Sequence, residues 1–109
     1  MAEESQELAL DVLTPLGFRV RASQAYWEFI VTRKHPAMAE RKADVAQALA
    51  APDEVRRSRS DPAVYLFYKS SGARRWVCAV ARNEDDVTGF LITAYPTDAV
   101  KEGIRIWPA

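Results

Sequence analysis

The sequence predicts one α+β domain, with N-terminal helices packed on one face of a four- to five-stranded antiparallel meander sheet. Apolar residues recur at helical spacing up to about residue 50, and alternate with period two after residue 54. Short polar turns separate the later segments, which is typical of antiparallel neighbours. A chain of 109 residues has the length of one ordinary domain. We therefore predict a short helical segment over 1–15 and a single domain over 16–109.

The first elements combine a helix and a strand. The segment 1–15 is predicted as a short helix closed by the Pro-Leu-Gly sequence at 15–17. Its apolar residues are Leu8, Leu10, Val12 and Leu13. Residues 17–22 alternate, with Phe18 and Val20 opposite two arginines, and this pattern favours a half-buried strand.

Two further helices are predicted before the sheet. Ser23 is a suitable N-cap for a helix over 24–34, although the β-forming residues at 29–32 leave a strand as the alternative. This helix must end near residue 34, because Pro36 disfavours the α conformation of the residue before it. Pro36 then opens a helix over 37–50.

The second half of the chain has strand periodicity. Strands are predicted over 54–59, 63–69, 75–81 and 87–94, with a short edge strand over 104–107. The first of them places Val55, Arg57 and Arg59 on one face, and Arg56 and Ser58 on the other. Val55 suggests that its own face turns inward, where unpaired arginines are costly. The alternative is that the arginines face solvent or protect a sheet edge.

Composition restricts the class of protein. Hydrophobic residues make up 49% and charged residues 28%, so the chain is not of the disordered class. A single cysteine, Cys78, excludes an internal disulfide and suits a reducing compartment. The acidic N-terminus lacks the pattern of a signal peptide, and no apolar run approaches the roughly 20 residues of a membrane span. A cytoplasmic protein without membrane contact is expected.

Charge is unevenly distributed along a chain whose net charge is zero. Residues 19–82 carry 13 basic side chains and six acidic ones, while both ends are acidic. A cationic face for an anionic ligand is one reading of this pattern, and averaging over the folded surface is the other.

The available side chains limit the chemistry. One Cys and one His cannot form a structural zinc site, the acidic run at 84–86 lacks calcium-loop spacing, and no nucleotide-binding glycine motif is present. We therefore predict neither metal nor cofactor. His35, arginines and hydroxyl groups remain, and these suffice for RNA cleavage by 2′-hydroxyl attack.

The stretch from Trp27 to Trp107 resembles small bacterial and phage proteins of the BECR nuclease fold, which unites barnase, EndoU, tRNA-cleaving colicins and RelE toxins. The resembling segments are Lys34-His-Pro36, Pro52-Asp-Glu-Val-Arg through Asp-Pro62, Val64-Tyr-Leu-Phe-Tyr68, Arg75-Trp-Val-Cys78, Gly89 to Asp98, Lys101-Glu-Gly103 and Ile106-Trp107. Together they span roughly three quarters of the chain.

The resemblance implies metal-independent RNA cleavage at the sheet surface. It assigns acid or base catalysis to His35, phosphate binding to Arg57 and Arg59, and hydroxyl contacts to Tyr68 and to Thr97 or Thr93. Arg56 and Ser58 on the same basic strand are further binding candidates. Many similar proteins carry a second His in the first helix, where this chain has Phe29, so a pair of histidines is excluded.

These observations lead to one functional expectation and one alternative. We expect a ribonuclease-like domain, with a toxin or a phage-derived nuclease as candidate identities, RNA as the substrate, and an antitoxin or other protein as a candidate partner. The alternative is a non-catalytic module that binds RNA or protein on the same scaffold.

Overall fold

In a computed structural model, which describes residues 7–109, the chain forms a seven-stranded mixed sheet with short helices. The strands lie in the order β1-β2-β6-β5-β4-β3-β7, and β2 and β6 are parallel while all other neighbours are antiparallel. The predicted architecture of N-terminal helices on a smaller antiparallel meander is therefore wrong. Strands β3 to β6 do follow one another antiparallel, but three further strands extend the sheet on both sides.

The elements have the following bounds. The strands are β1 (Leu8–Leu13), β2 (Arg19–Ser23), β3 (Glu54–Arg57), β4 (Val64–Gly72), β5 (Arg75–Asn83), β6 (Thr88–Thr97) and β7 (Ile104–Trp107). The helices are α1 (Gln24–Phe29), which continues as a π-helical turn over Ile30–Lys34, a 3₁₀ turn (Pro36–Met38) and α2 (Lys42–Ala50).

The helix predicted over 1–15 is wrong for the described part of that segment, and residues 1–6 lie outside the described residues. Residues 8–13 form an edge strand that pairs with β2. Leu8, Leu10 and Val12 alternate at every second position, and this period-two signal outweighs the helical one. Thr14, whose hydroxyl donates to the Phe18 carbonyl at 3.0 Å, closes the hairpin, and Gly17 adopts a φ of +98° there.

The helix predicted over 24–34 is confirmed. Ser23 has extended backbone angles and its hydroxyl accepts from the Tyr26 N–H at 3.0 Å, as an N-cap should. The last turn widens to a π-helix, in which the His35 N–H donates to the Ile30 carbonyl at 2.8 Å. The helical run ends at Lys34, as Pro36 predicts.

The helix predicted over 37–50 is interrupted. Only the 3₁₀ turn and α2 are helical, and the chain turns at 39–41 between them. Met38 is fully buried before this turn, and Val45 and Leu49 are fully buried after it. Met38, Val45 and Leu49 would also share one face of a continuous helix, so their spacing alone does not reveal the break.

The main core lies between the helices and one face of the sheet. Val20, Val55, Phe67, Ala79 and Leu91 supply the sheet side and are fully buried. The helices add Trp27, Ile30, Val31, Met38, Val45, Ala48 and Leu49. The predicted inward orientation of Val55 is confirmed.

The opposite face of the sheet carries a second cluster and is crossed by the chain. Leu66, Tyr68 and Cys78 are buried there, and Val100 packs against them. Strand β7 pairs with β3 at the far edge, so residues 98–103 must cross from the end of β6 over β5, β4 and β3. We call residues 98–103 the strap.

Candidate active site

An open pocket of about 330 Å³ lies on the strap side of the sheet. The sheet contributes Tyr68, Tyr95 and Thr97, and His35 enters from the end of the π-helical turn. The strap contributes Ala99, Lys101 and Glu102. Three of the residues predicted from sequence, His35, Tyr68 and Thr97, are therefore brought together, although they come from three separate parts of the chain.

The backbone holds His35 at both sides. Its N–H donates to the Ile30 carbonyl, and its carbonyl accepts from the Met38 N–H at 2.9 Å. The imidazole packs on the Tyr95 ring, with centroids 5.5 Å apart and planes tilted by 42°. The Tyr26 hydroxyl of α1 donates to the Ile92 carbonyl of β6 at 2.6 Å, which holds the helix that precedes His35 against the sheet. His35 is half-buried, so its ring is fixed by packing and still reaches the pocket.

A row of three polar side chains crosses the sheet beneath the pocket. Tyr68, Cys78 and Tyr95 occupy paired positions on β4, β5 and β6. Burial raises the pKa of the Cys78 thiol to about 12 and raises the pKa values of both phenols well above the usual 10.0. All three groups are therefore protonated at neutral pH, which makes the two phenols hydrogen-bond donors rather than bases.

The strap is anchored at both ends. The Thr97 hydroxyl donates to the Ala99 carbonyl at 3.2 Å and accepts from the Ala99 N–H at 3.3 Å, which begins the crossing. At the far end, the Arg56 guanidinium donates to the Gly103 carbonyl at 3.3 Å. The backbone of Glu102 lowers the pKa of the Tyr68 hydroxyl, against the larger rise caused by burial. Thr97 and Arg56 thus hold the two ends of the strap whose residues line the pocket.

The predicted basic strand does not converge on the pocket. Arg57 lies on the helix side of the sheet, where its guanidinium sits 5.4 Å from the Tyr65 ring centroid and donates to the Tyr65 hydroxyl at 3.2 Å. Arg56 lies on the strap side but forms an ion pair with Glu54 at 2.6 Å. Because consecutive side chains of a strand point to opposite faces, Arg56 and Arg57 lie on opposite faces of the sheet.

Arg59 and Ser58 line a second pocket, of about 310 Å³, beyond the strap. Lys101 and Glu102 line both pockets, so the two are neighbours separated by the strap. The predicted basic residues therefore do not share one site. Arg57 lies on the helix side, Arg56 pairs with Glu54 on the strap side, and Arg59 lines the second pocket.

Thr93 does not line either pocket. It lies opposite Val80 on the strap side of the sheet. Its hydroxyl is buried and has no hydrogen-bond partner among residues 7–109. A buried hydroxyl without a partner destabilises the fold.

The sequence interpretation missed Lys101, Glu102 and Tyr95 as site residues. Lys101-Glu-Gly103 was part of the family resemblance, but the pattern gave no reason to place it near His35. Gly103 adopts a φ of +80° and a Cβ there would lie 2.6 Å from the Arg57 carbonyl oxygen. Gly103 was the one signal in the sequence for the path of the strap, because a glycine there permits the close approach of the strap to β3.

Comparison with protein-family models, with curated proteins and with solved structures finds no significant match to this chain. Within the described residues no helix has the length and hydropathy needed to span a membrane. In the same part of the chain, no group of three or more His, Cys, Asp or Glu side chains is arranged to hold a metal ion. The function is therefore inferred from the geometry of the pocket.

Proposed function

We propose that the protein is a metal-independent endoribonuclease whose active site is the pocket lined by His35, Lys101 and Glu102. The observation that carries the proposal is that an imidazole, a carboxylate and an ammonium group share one open pocket. An acid–base pair of two histidines is excluded by composition, and Glu102 supplies the second proton-transfer group instead.

The residue types suit 2′-hydroxyl attack. Carboxylates are ionised at neutral pH and imidazoles titrate near it, so we assign the base to Glu102 and the acid to His35. Glu102 removes the proton of the 2′-hydroxyl, and that oxygen forms a bond to the adjacent phosphorus. The bond from phosphorus to the 5′-oxygen breaks, and His35 protonates the leaving oxygen. The products are a 2′,3′-cyclic phosphate and a free 5′-hydroxyl.

The remaining pocket residues stabilise charge and hold geometry. The Lys101 ammonium is a strong point charge for the phosphate as negative charge develops in the transition state. The protonated Tyr95 hydroxyl can donate to a phosphate oxygen, and the same ring supports the imidazole of His35. Tyr68 lines the floor of the same pocket beside the strap, and we assign it a positioning role.

The test is cleavage of end-labelled RNA by the purified full chain in excess EDTA, with identification of the product ends. We expect cyclic-phosphate products, and a loss of about 100-fold or more in kcat for His35→Ala and for Glu102→Gln, since acid–base groups contribute that much. A Lys101→Ala variant is compared with Lys42→Ala, which also removes one positive charge. Lys42 lies on α2, on the other face of the sheet, and is therefore a suitable control. Absence of cleavage by the wild type refutes the proposal.

A second candidate function is a non-catalytic module that binds RNA or a protein. The observation in its favour is that Arg57 and Arg56 are engaged with Tyr65 and Glu54, so neither arginine lines the pocket to bind a scissile phosphate. This candidate predicts salt-sensitive RNA binding that His35→Ala leaves unchanged, without cleavage. A toxin role is compatible only with the first candidate. It predicts growth arrest on expression that His35→Ala abolishes.

A further inference from the structure

The pocket beyond the strap has an apolar floor and a polar rim. Its floor is formed by Val64, Leu66 and Val80, and Leu66 and Val80 are directly paired across β4 and β5. Ser58, Arg59 and Ser60 form the rim at one side, and Lys101 to Gly103 of the strap form it at the other. Its volume of about 310 Å³ is at the lower end of the range for small-molecule sites.

This combination favours a flat ring with polar edges. Two paired aliphatic side chains on neighbouring strands give a surface against which the face of a planar ring can pack. The hydroxyls of Ser58 and Ser60 lie 3.3 Å apart and can donate to or accept from groups at the edge of such a ring. A bare phosphate would gain nothing from the apolar floor.

The neighbouring charges favour an anion attached to that ring. Arg59 is exposed on the rim, and Lys101 lies on the strap that separates this pocket from the one that holds His35. Arg56 is already paired with Glu54 and is not available to a ligand. Arg59 and Lys101 place positive charge on both sides of the pocket, and Glu102 on the strap adds one carboxylate, so the lining keeps a net charge of +1.

We propose that this second pocket binds the base of the nucleotide next to the scissile phosphate, with Lys101 holding the phosphate between the two pockets. The inference rests on the proposed function, and it defines the substrate as a single-stranded RNA that passes over the strap. A base within a duplex is stacked on both sides and cannot enter a pocket of this kind.

Binding is measured without catalysis, by titrating each nucleoside 3′-monophosphate and inorganic phosphate into the full-length His35→Ala protein. We expect at least one nucleotide to bind 10-fold or more tightly than inorganic phosphate. A second protein that also carries Arg59→Ala and Ser60→Ala should lose that difference, because both residues form the rim of the pocket. Both side chains are exposed, so the fold should be retained. Lys42→Ala in the same background is the control and should retain the difference in binding.

The outcomes separate this inference from the ribonuclease proposal. Equal binding of nucleotide and phosphate, or a difference that survives the rim substitutions, overturns the base-binding pocket whatever the wild type cleaves. Failure of the wild type to cleave RNA overturns the ribonuclease proposal, while selective nucleotide binding would still support this pocket. If both hold, the rim substitutions should raise KM for RNA about 10-fold with kcat unchanged, and circular dichroism should show an intact fold.

Discussion

Replacement of Cys78 by alanine should remove part of the alkaline sensitivity of the fold. Cys78 is fully buried, and burial raises the pKa of its thiol from the usual 9.0 to about 12. Above pH 9 the unfolded chain loses this proton while the folded chain keeps it, so the unfolded state is favoured as the pH rises. The thiol's contribution to stability is complete below about pH 9 and is lost progressively between pH 9 and 12.

The expected magnitude follows from the two pKa values. Between pH 8 and pH 10 the wild type should lose about 1 kcal/mol of unfolding free energy through Cys78 alone. Tyr68 and Tyr95 stay protonated in the folded state of both proteins over this range, so their contributions cancel in the comparison. Cys78→Ala lowers stability at both pH values through the lost side-chain volume, but this loss does not depend on pH.

The measurement is urea unfolding under reducing conditions, followed by tryptophan fluorescence, for both proteins at pH 8 and pH 10. The wild type should lose about 1 kcal/mol more than Cys78→Ala between the two pH values. An equal loss of unfolding free energy in both proteins would show that the Cys78 thiol is not buried as described. The row of Tyr68, Cys78 and Tyr95 beneath the pocket would then not be shielded from water.

Two further substitutions test the strap and the strap-side face of the sheet. Gly103→Ala should destabilise the fold by about 2 kcal/mol or more, because its φ is +80° and the new Cβ meets the Arg57 carbonyl oxygen. Gly17→Ala is the matched control, since Gly17 has a φ of +98° but open space around its Cβ position, and denaturant unfolding of the two variants should separate clash from backbone strain. Thr93→Val should stabilise the protein by about 1 kcal/mol in thermal unfolding, because it removes a buried hydroxyl without a partner in the described residues. A destabilised Thr93→Val protein would instead show that the hydroxyl has a partner, such as a bound water.

The local patterns predicted much of the second half of the chain. Strands β3 to β7 fall close to the predicted ranges, and the predicted N-cap at Ser23 and end at Lys34 are both present. These features depend on residues close in sequence, such as the turn formers between strands and the hydroxyl before the helix. The edge strand β1 was missed because the alternation of Leu8, Leu10 and Val12 is short and Leu13 interrupts it.

Long-range pairing could not be read from the same patterns. The parallel contact between β2 and β6 joins Arg19–Arg21 to Thr88–Phe90, and no local signal encodes a partner so distant in sequence. Arg57 was assigned to the site by the family resemblance, but its side chain lies on the helix side of the sheet, away from the pocket. Glu102 entered the site only because β7 pairs with β3, which sends the strap across the sheet.

The geometry of that crossing leads to a last prediction. The strap passes from β6 to β7 over four strand spacings, roughly 19 Å across the sheet. The seven Cα–Cα steps from Thr97 to Ile104 span at most roughly 25 Å when fully extended, and the chain also bends at residues 98 and 102–103. The strap therefore has little slack, which fixes Lys101 and Glu102 over the pocket.

Two glycines inserted after Val100 should release this constraint. We expect RNA cleavage to fall by about 10-fold or more, since small misplacement of catalytic groups has large effects on rate. The main core on the helix side should be retained, so the melting temperature should fall by only a few degrees for a loss near 1 kcal/mol. The same insertion after Gly72, in the exposed turn between β4 and β5, is the control and should leave cleavage unchanged. Unchanged cleavage with the strap insertion would mean that the strap does not position the catalytic groups, and Glu102 would then lose its proposed role.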